Sequence, residues 1–378
     1  MRLIREGKAM LYYTESVFYN RLAKLSRSLS VLFVSSVLDK YNDYEVAIAD
    51  SLAATGVRGL RYYLESNVKP IVYFNDRSWN AYRIIKKNIS LNRCYNASVY
   101  KLDANLFMRL FKGRFTIIDI DPFGSPSPFI DTAISTVRDS GYILITATDL
   151  TALCGLYPKS AFRKYSSMIF KTSFCHEIAL RVLIKSIIEA GGRHKRIVKP
   201  LLSHYDTQYA RVYVYVKDGR TEYPYNNIGY IIICRDGHID VFNMWELNRM
   251  FQRIRTNVDI KCVIGPLWIG PLHDKNFVNM LIKHHSKYPI VDEEDRVRIS
   301  KLLGVFYDEA DSDLPPFFYN IHELSKALSI SPPSINDVLH ELRKHGYKAV
   351  RSHISNVGVK TNASYSDLLD ILLDLSKR

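Results

Sequence analysis

Hydrophobic positions in the first half of the chain follow two alternating patterns. Runs that are apolar almost throughout occur at "YEVAIAD" (44–50), "PIVYFND" (70–76), "SVYKLD" (98–103), "FTIIDID" (115–121) and "YILITATD" (142–149). Such runs predict strands buried on both faces. Between them, "RIIKKNISLN" (83–92) and "FIDTAISTVRD" (129–139) repeat apolar positions at helical spacing. Alternating strands and helices predict a parallel sheet with right-handed crossovers. Each predicted strand closes on an acid: Asp50, Asp76, Asp103, Asp119 with Asp121, and Asp149. These carboxylates are expected along one edge of the sheet, where ligands of open α/β sheets bind.

A longer helix is predicted over 173–191, with Phe174, Ile178, Val182, Ile187 and Ile188 on or near one face. Within it, "HEIAL" has Leu180 where a zinc-protease helix needs its second histidine, so His176 is expected to be structural or an outer-shell partner, not a metal ligand. "RHKRIVKPLLSH" and "TQYARVYVYVK" predict an antiparallel pair closing the sheet, turning at 205–207. "KDGRTEYPY" marks an expected boundary near 218–226, giving domains 1–218 and 219–378. Near the end, "INDVLHELRKHG" (335–346) predicts a helix with Ser331 as its cap and Gly346 at its end. With "IHELSKALS" before it and "YKAVRSHI" and "GVKTNA" after it, a winged-helix-like unit is expected.

Charge changes the picture. Lys+Arg 52 against Asp+Glu 38 leaves +14, which favours a polyanionic partner such as nucleic acid. Segment 181–220 carries nine Lys/Arg and three Asp/Glu, expected either to face phosphates or to form a solvated rim. No run reaches membrane-spanning length, and the start has no signal-peptide core. The five cysteines are scattered and read as reduced thiols, so a cytoplasmic location is expected.

The first predicted strand-to-helix turn, "ADSLAATGVRG" (49–59), is made of small residues. It lacks G-x-G-x-x-G and the Walker lysine, which disfavours a dinucleotide and excludes a P-loop. An adenosine-type ligand without pyrophosphate remains. Asp76 can take ribose hydroxyls, and Asp103 can meet an adenine amino group. This acid series is the pattern of doubly wound S-adenosylmethionine enzymes. "DPFG" (121–124) resembles the Asp-Pro-Pro-Tyr type motif of enzymes that methylate exocyclic base amines. An amine conjugated to a ring is a poor nucleophile. Asp121 and a neighbouring carbonyl can hold its N–H groups, turn its lone pair to the methyl group and compensate developing charge. Phe123 can stack on the base.

The sequence is similar to archaeal tRNA (guanine-26 N2)-dimethyltransferases of the Trm1 type. The similarity rests on "VFYN" (17–20), "ADSLAATGVRGLRY" (49–62), "FND" (74–76), "DIDPFGSP" (119–126), "TATD" (146–149), "LCG" (153–155), "RKY" (163–165), "CHE" (175–177), "GPLWIGPLHDKNFV" (265–278) and the tail from "SPPSI" to "GVKT" (331–361). The resemblance implies a class I (Rossmann-like) methyltransferase domain followed by a mixed α/β C-terminal domain that binds tRNA. It implies a catalytic set of Asp121, Pro122, Phe123 and Phe18. It also implies that Arg27, Arg58, Asp76, Asp103 and the Ala104 backbone hold S-adenosylmethionine, either arginine being able to pair with its carboxylate.

Relatives often carry two Cys-x-x-Cys pairs in the second domain, whereas only Cys234 and Cys262 stand here. His238 and His273 could be imagined as substitutes, but their spacing has no motif support. No metal is expected, and no membrane or obligate protein partner. An adenine-N6 or cytosine-N4 methyltransferase is the enzymatic alternative. A winged-helix regulator with a degenerate methyltransferase fold is the non-enzymatic one.

Overall fold

The computed structural model describes residues 1–41, 46–219, 225–256, 259–311 and 313–377. The start of the run at 44–50 and most of the expected boundary stretch 218–226 lie outside these residues. An N-terminal hairpin, β1 (Arg2–Glu6) and β2 (Ala9–Tyr13), precedes helix α1 (Lys24–Leu38). The main sheet follows: β3 (Ala47–Asp50), β4 (Ile71–Asn75), β5 (Ala97–Tyr100), β6 (Ile117–Ile120), β7 (Gly141–Ala147), β8 (Arg196–Asp206) and β9 (Tyr209–Asp218). Its seven strands lie in the order β5-β4-β3-β6-β7-β9-β8. The first five in sequence are parallel, whereas β9 runs antiparallel to β7 and β8 antiparallel to β9. The doubly wound sheet and its closing hairpin are thus as expected.

The strands read as unbroken apolar runs because helices cover both faces. Helix α2 (Val57–Glu65) packs closely on β4, since an added Cβ at Gly59 would collide with the Phe74 ring. The helices α3 (Trp79–Leu91), α4 (Ala104–Leu110) and α5 (Ser127–Thr136) fill the crossovers. After β7 come α6 (Leu150–Leu153), α7 (Pro158–Tyr165) and the long α8 (Cys175–Arg193).

Beyond residue 225, a second sheet of β10 (Ile228–Cys234), β11 (Ile239–Asn243) and β12 (Ile260–Trp268) has the order β11-β10-β12. One apolar cluster joins α8 to this sheet and to the C-terminal elements through Ile178, Val182, Ile231, Leu267 and Val338. Another packs Phe33 of α1 and Ile117 of β6 against Leu281 and Phe306, from helices Lys275–Lys287 and Glu293–Glu309. The cores therefore continue across the expected boundary.

The chain ends with helices Ile321–Ala327 and Ile335–Lys344, a small sheet including Ala349–Arg351 and Gly358–Thr361, and helix Tyr365–Ser376. The cap of the Ile335 helix is Ser334, not Ser331. Ser334 accepts from the Asp337 N–H and donates to the Asp337 carboxylate, a reciprocal pairing that fixes the start.

The basic segment 181–220 is not a single surface. Arg181, Lys185 and Arg211 are buried. Arg193, Arg196 and Lys199 pair with Asp131, Asp218 and Asp274. Among the described residues, no helix is long and apolar enough to cross a membrane.

Candidate active site

Strand β3 lies between β4 and β6, so the crossovers on its two sides diverge and leave a crevice at its carboxyl end. A pocket of about 650 Å³ opens there. Its wall includes Phe18, Arg27, Arg58, Asp76, Asp103, Ala104, Asp121, Pro122 and Phe123. Every residue expected at the site is brought to this one cavity.

One end is shaped by backbone. Ala54 and Gly56 take left-handed conformations, with φ of 48° and 78°. The turn thereby reaches the Asp76 carboxylate, which accepts from the Ala54 N–H at 2.9 Å and the Ser78 N–H at 2.8 Å. Each oxygen carries one such bond, leaving lone-pair capacity on both. Asp103 caps α4 with Oδ1, accepting from Asn105 and Leu106 N–H at 2.9 and 3.1 Å. It is exposed, and Ala104 follows it at the helix start. Leu52, Leu102 and Phe129 add apolar wall nearby.

The other end is shaped by side chains. Asp121 directly follows β6, and its carboxylate accepts from Arg58 Nε at 2.6 Å. The Asp121 side chain is 31% exposed, whereas that of Arg58 is only 5% exposed. Burial pushes the Asp121 pKa up, but the Arg58 and Arg211 charges and a Thr146 hydrogen bond outweigh it. Asp121 is held below the ordinary carboxylate range. Phe18 and Phe123 meet edge-to-face, with centroids 4.3 Å apart, and are 52% and 72% exposed. Two large rings left in water beside a carboxylate suit a planar ligand. Gly124 continues the turn at φ 82°, and its N–H donates to Thr148 Oγ1 at 2.7 Å.

The strand-end acids do not form a single row. Asp119 lies one layer deeper than Asp121, buried against Tyr62 Oη at 2.5 Å and Arg211 Nη2 at 2.8 Å. Asp149 pairs with Lys164 and Tyr165, each at 2.8 Å. Neither lines the pocket. Asp50 does, and its carboxylate accepts from Gly59 N–H at 3.0 Å. Burial and the neighbouring Asp119 raise the Asp50 pKa to about 7. The charges explain this: Arg58 acts on Asp50 but is paired with Asp121, and Arg211 with Asp119, so among the described residues neither arginine forms an ion pair with Asp50.

Neither arginine stands free. Arg27 is buried in α1 and binds Glu6 through Nε and Nη2 at 2.7 and 2.5 Å. Burial pushes the Glu6 pKa up, but Arg27 and Arg61 bring it to about 2. Arg58 holds Asp121 through Nε, while its Nη1 and Nη2 meet Ser30 and Ser26 only at 3.4 Å. Those two donors are the more loosely engaged.

Sequence reasoning left out Tyr19, Asn20, Thr146, Gln208 and Tyr209, which also line the pocket. Asn20 Nδ2 donates to Gln208 Oε1 at 2.7 Å, across 188 residues of chain. No local pattern announces such a contact. Cys234 and Cys262 lie on the neighbouring strands β10 and β12. They join no group of three potential metal ligands among the described residues. His238 binds Asp240, and His273 is buried beside Glu309.

A doubly wound sheet with a closing antiparallel hairpin, and a switch-point pocket rimmed by acids, defines the class I methyltransferase architecture. The family model described as N2,N2-dimethylguanosine tRNA methyltransferase matches residues 2–373, and the chain belongs to that family. It is 32% identical to a tRNA (guanine(26)-N(2))-dimethyltransferase of Methanobrevibacter smithii, over 100% of this chain and 98% of that protein. It is 34% identical to the protein of the same name from Methanothermobacter thermautotrophicus, over 95% and 93%. Among solved structures, Trm1 from Pyrococcus horikoshii with S-adenosyl-L-methionine matches with a TM-score of 0.86 and 29% identity, covering 98% and 100%.

Proposed function

We propose that this chain transfers methyl groups from S-adenosylmethionine to the exocyclic N2 of guanosine 26 in tRNA, giving N2-methyl- and N2,N2-dimethylguanosine. Beyond family membership, the observation that carries this is Asp121. Its carboxylate stands partly exposed beside two exposed rings, in a pocket whose far end offers Asp76 and Asp103.

The pocket residues fit the cofactor. Asp76 keeps acceptor capacity on both oxygens for ribose hydroxyls, and in this reading Asp103 and the Ala104 backbone meet adenine. The loosely engaged Arg58 donors suit a carboxylate better than Arg27, which Glu6 occupies. The bound cofactor supplies an electrophilic methyl group on a sulfonium sulfur. Asp121, with Pro122 shaping its turn, accepts the amine N–H groups and fixes the lone-pair direction. Held ionised by Arg58, it is a weak base, so charge compensation is its main role. Phe18 and Phe123 offer ring faces to a flipped-out guanine.

The division into a methyltransferase part, 1–218, and a tRNA-binding part, 219–378, belongs to the same proposal. The C-terminal helices and strands support a winged-helix-like end. Transfer RNA is the macromolecular partner, and the cytoplasm the place of action. Labelled-methyl transfer to tRNA followed by nucleoside analysis tests the reading. Dimethylguanosine is expected; methyladenosine or methylcytidine would move the chain to another base, and no transfer with intact cofactor binding would leave a regulator.

A further inference from the structure

Outside the pocket, two soft sulfur donors and an imidazole converge where no role has been assigned. We propose that Cys154, Cys175 and His176 form a binding site for a thiophilic divalent cation of the zinc class. Each offers one ligand atom, and these atoms all lie within 4.8 Å of one another. Zinc holds sulfur at about 2.3 Å and imidazole nitrogen at about 2.0–2.1 Å, so tetrahedral donors stand about 3.5–3.8 Å apart. Closure by about an ångström completes the set. Two thiolates and an imidazole select zinc over magnesium or calcium, which take oxygen ligands. Three protein donors leave one tetrahedral position for water.

The surroundings agree with this geometry. Cys154 and Cys175 are buried, at 5% and 9% exposure, while His176 is half-buried and gives an ion a way in. Cys175 is the first residue of the 19-residue helix α8, where the helix dipole favours a thiolate. The His176 ring is fixed by stacking on Tyr205, with centroids 4.2 Å apart. The expectation of no metal rests on Cys234 and Cys262, and that of a structural His176 on the missing second histidine at Leu180; here the partners of His176 are instead Cys154 and Cys175. A second buried group, His273, Glu309 and His353, is less suited. It offers no thiolate, and the Lys360 charge acts on its carboxylate.

An ion here would fasten two segments beside the pocket. Cys154 closes the stretch that begins at Thr148, the partner of Gly124 in the Asp121 turn. Tyr205, under His176, lies three residues before Gln208 of the pocket wall. The site therefore ties the end of α6 to the start of α8.

The test uses the full chain, reduced, stripped with chelator and titrated with Co²⁺ alone. Thiolate-to-cobalt charge-transfer absorption saturating at one equivalent is expected, with bleaching on addition of Zn²⁺. Cys154→Ser and Cys175→Ser should each lose that absorption. His176→Ala should weaken Co²⁺ binding by more than the roughly 10–100-fold that loss of an outer-shell partner costs. Cys234→Ser with Cys262→Ser should change nothing. Should a variant fail to fold, wild-type protein decides: Zn²⁺ should protect Cys154 and Cys175, but not Cys262, from alkylation mapped by peptide mass spectrometry. Absent charge-transfer absorption in the reduced wild type, or absent protection, overturns the proposal. So does absorption that survives Cys175→Ser in folded protein.

Discussion

Asp76 and Asp121 stand at opposite ends of one pocket and are held by different means. Asp76 is fixed by two backbone N–H groups, from Ala54 and Ser78. Asp121 is fixed by the side chain of Arg58, which is itself buried. Backbone donors come with the fold and pin a carboxylate without a full counter-charge. A guanidinium fixes position and also lowers proton affinity. The first arrangement suits recognition of neutral hydroxyls, and the second suits a group that must stay ionised while positive charge develops nearby. Replacing either acid should therefore separate binding from chemistry.

The largest effect is expected at the side-chain end. Asp121→Ala should lower single-turnover methyl transfer by about 10²–10³, with the cofactor dissociation constant within a few-fold of wild type. Asp121→Asn should also fail, because an amide compensates charge poorly. A wild-type turnover rate in either variant would remove Asp121 from the chemistry. Next comes Asp76→Ala, expected to raise the cofactor dissociation constant at least tenfold. A charged hydrogen bond contributes about 1.5–3 kcal/mol. Equal losses of cofactor affinity in the Asp76 and Asp121 variants would erase the contrast. Phe123→Ala should be milder, raising KM for tRNA by the stacking loss of about 1–3 kcal/mol while sparing cofactor affinity measured by calorimetry.

The smallest effect concerns Asp50, between the two ends. Its folded pKa of about 7 lies above the unfolded carboxylate value. The folded state thus binds more protons from about pH 4 to 7, and the Asp50 contribution to stability falls as pH rises through that window. Asp50→Asn should flatten this decline, gaining melting temperature over wild type at pH 8 but not at pH 4. A constant difference across that range would show that the Asp50 proton is not involved.

Much of this arrangement is legible in the sequence, for a physical reason. Parallel strands buried on both faces leave uninterrupted apolar runs, so β3 to β7 announce themselves. The turns that follow carry the small residues and acids that a close-approaching ligand needs. Depth is harder to read. Asp119 and Asp121 are two residues apart on one strand and its extension, yet one is buried with Arg211 and the other opens to the pocket. Only long-range partners decide between them, and Arg58 and Arg211 are 63 and 92 residues distant in sequence. The Ser334 cap is illegible for a local reason: Ser331 and Ser334 both flank the prolines, and the choice rests on which hydroxyl reaches Asp337.

Phe18 has a consequence for anyone re-engineering this chain. The ring sits after the β1–β2 hairpin, which is anchored by Glu6 on Arg27 and Arg61 and by Asn88 and Asn92 on the backbone of Tyr12 and Met10. Shortening the chain past Glu6 would strip buried arginines of a counter-charge, and breaking such a pair costs about 3–5 kcal/mol. It would also release one of the two rings at the mouth of the pocket. Affinity tags, fusions and display formats are therefore better attached after the C-terminal helix, leaving the first twenty residues as part of the catalytic body.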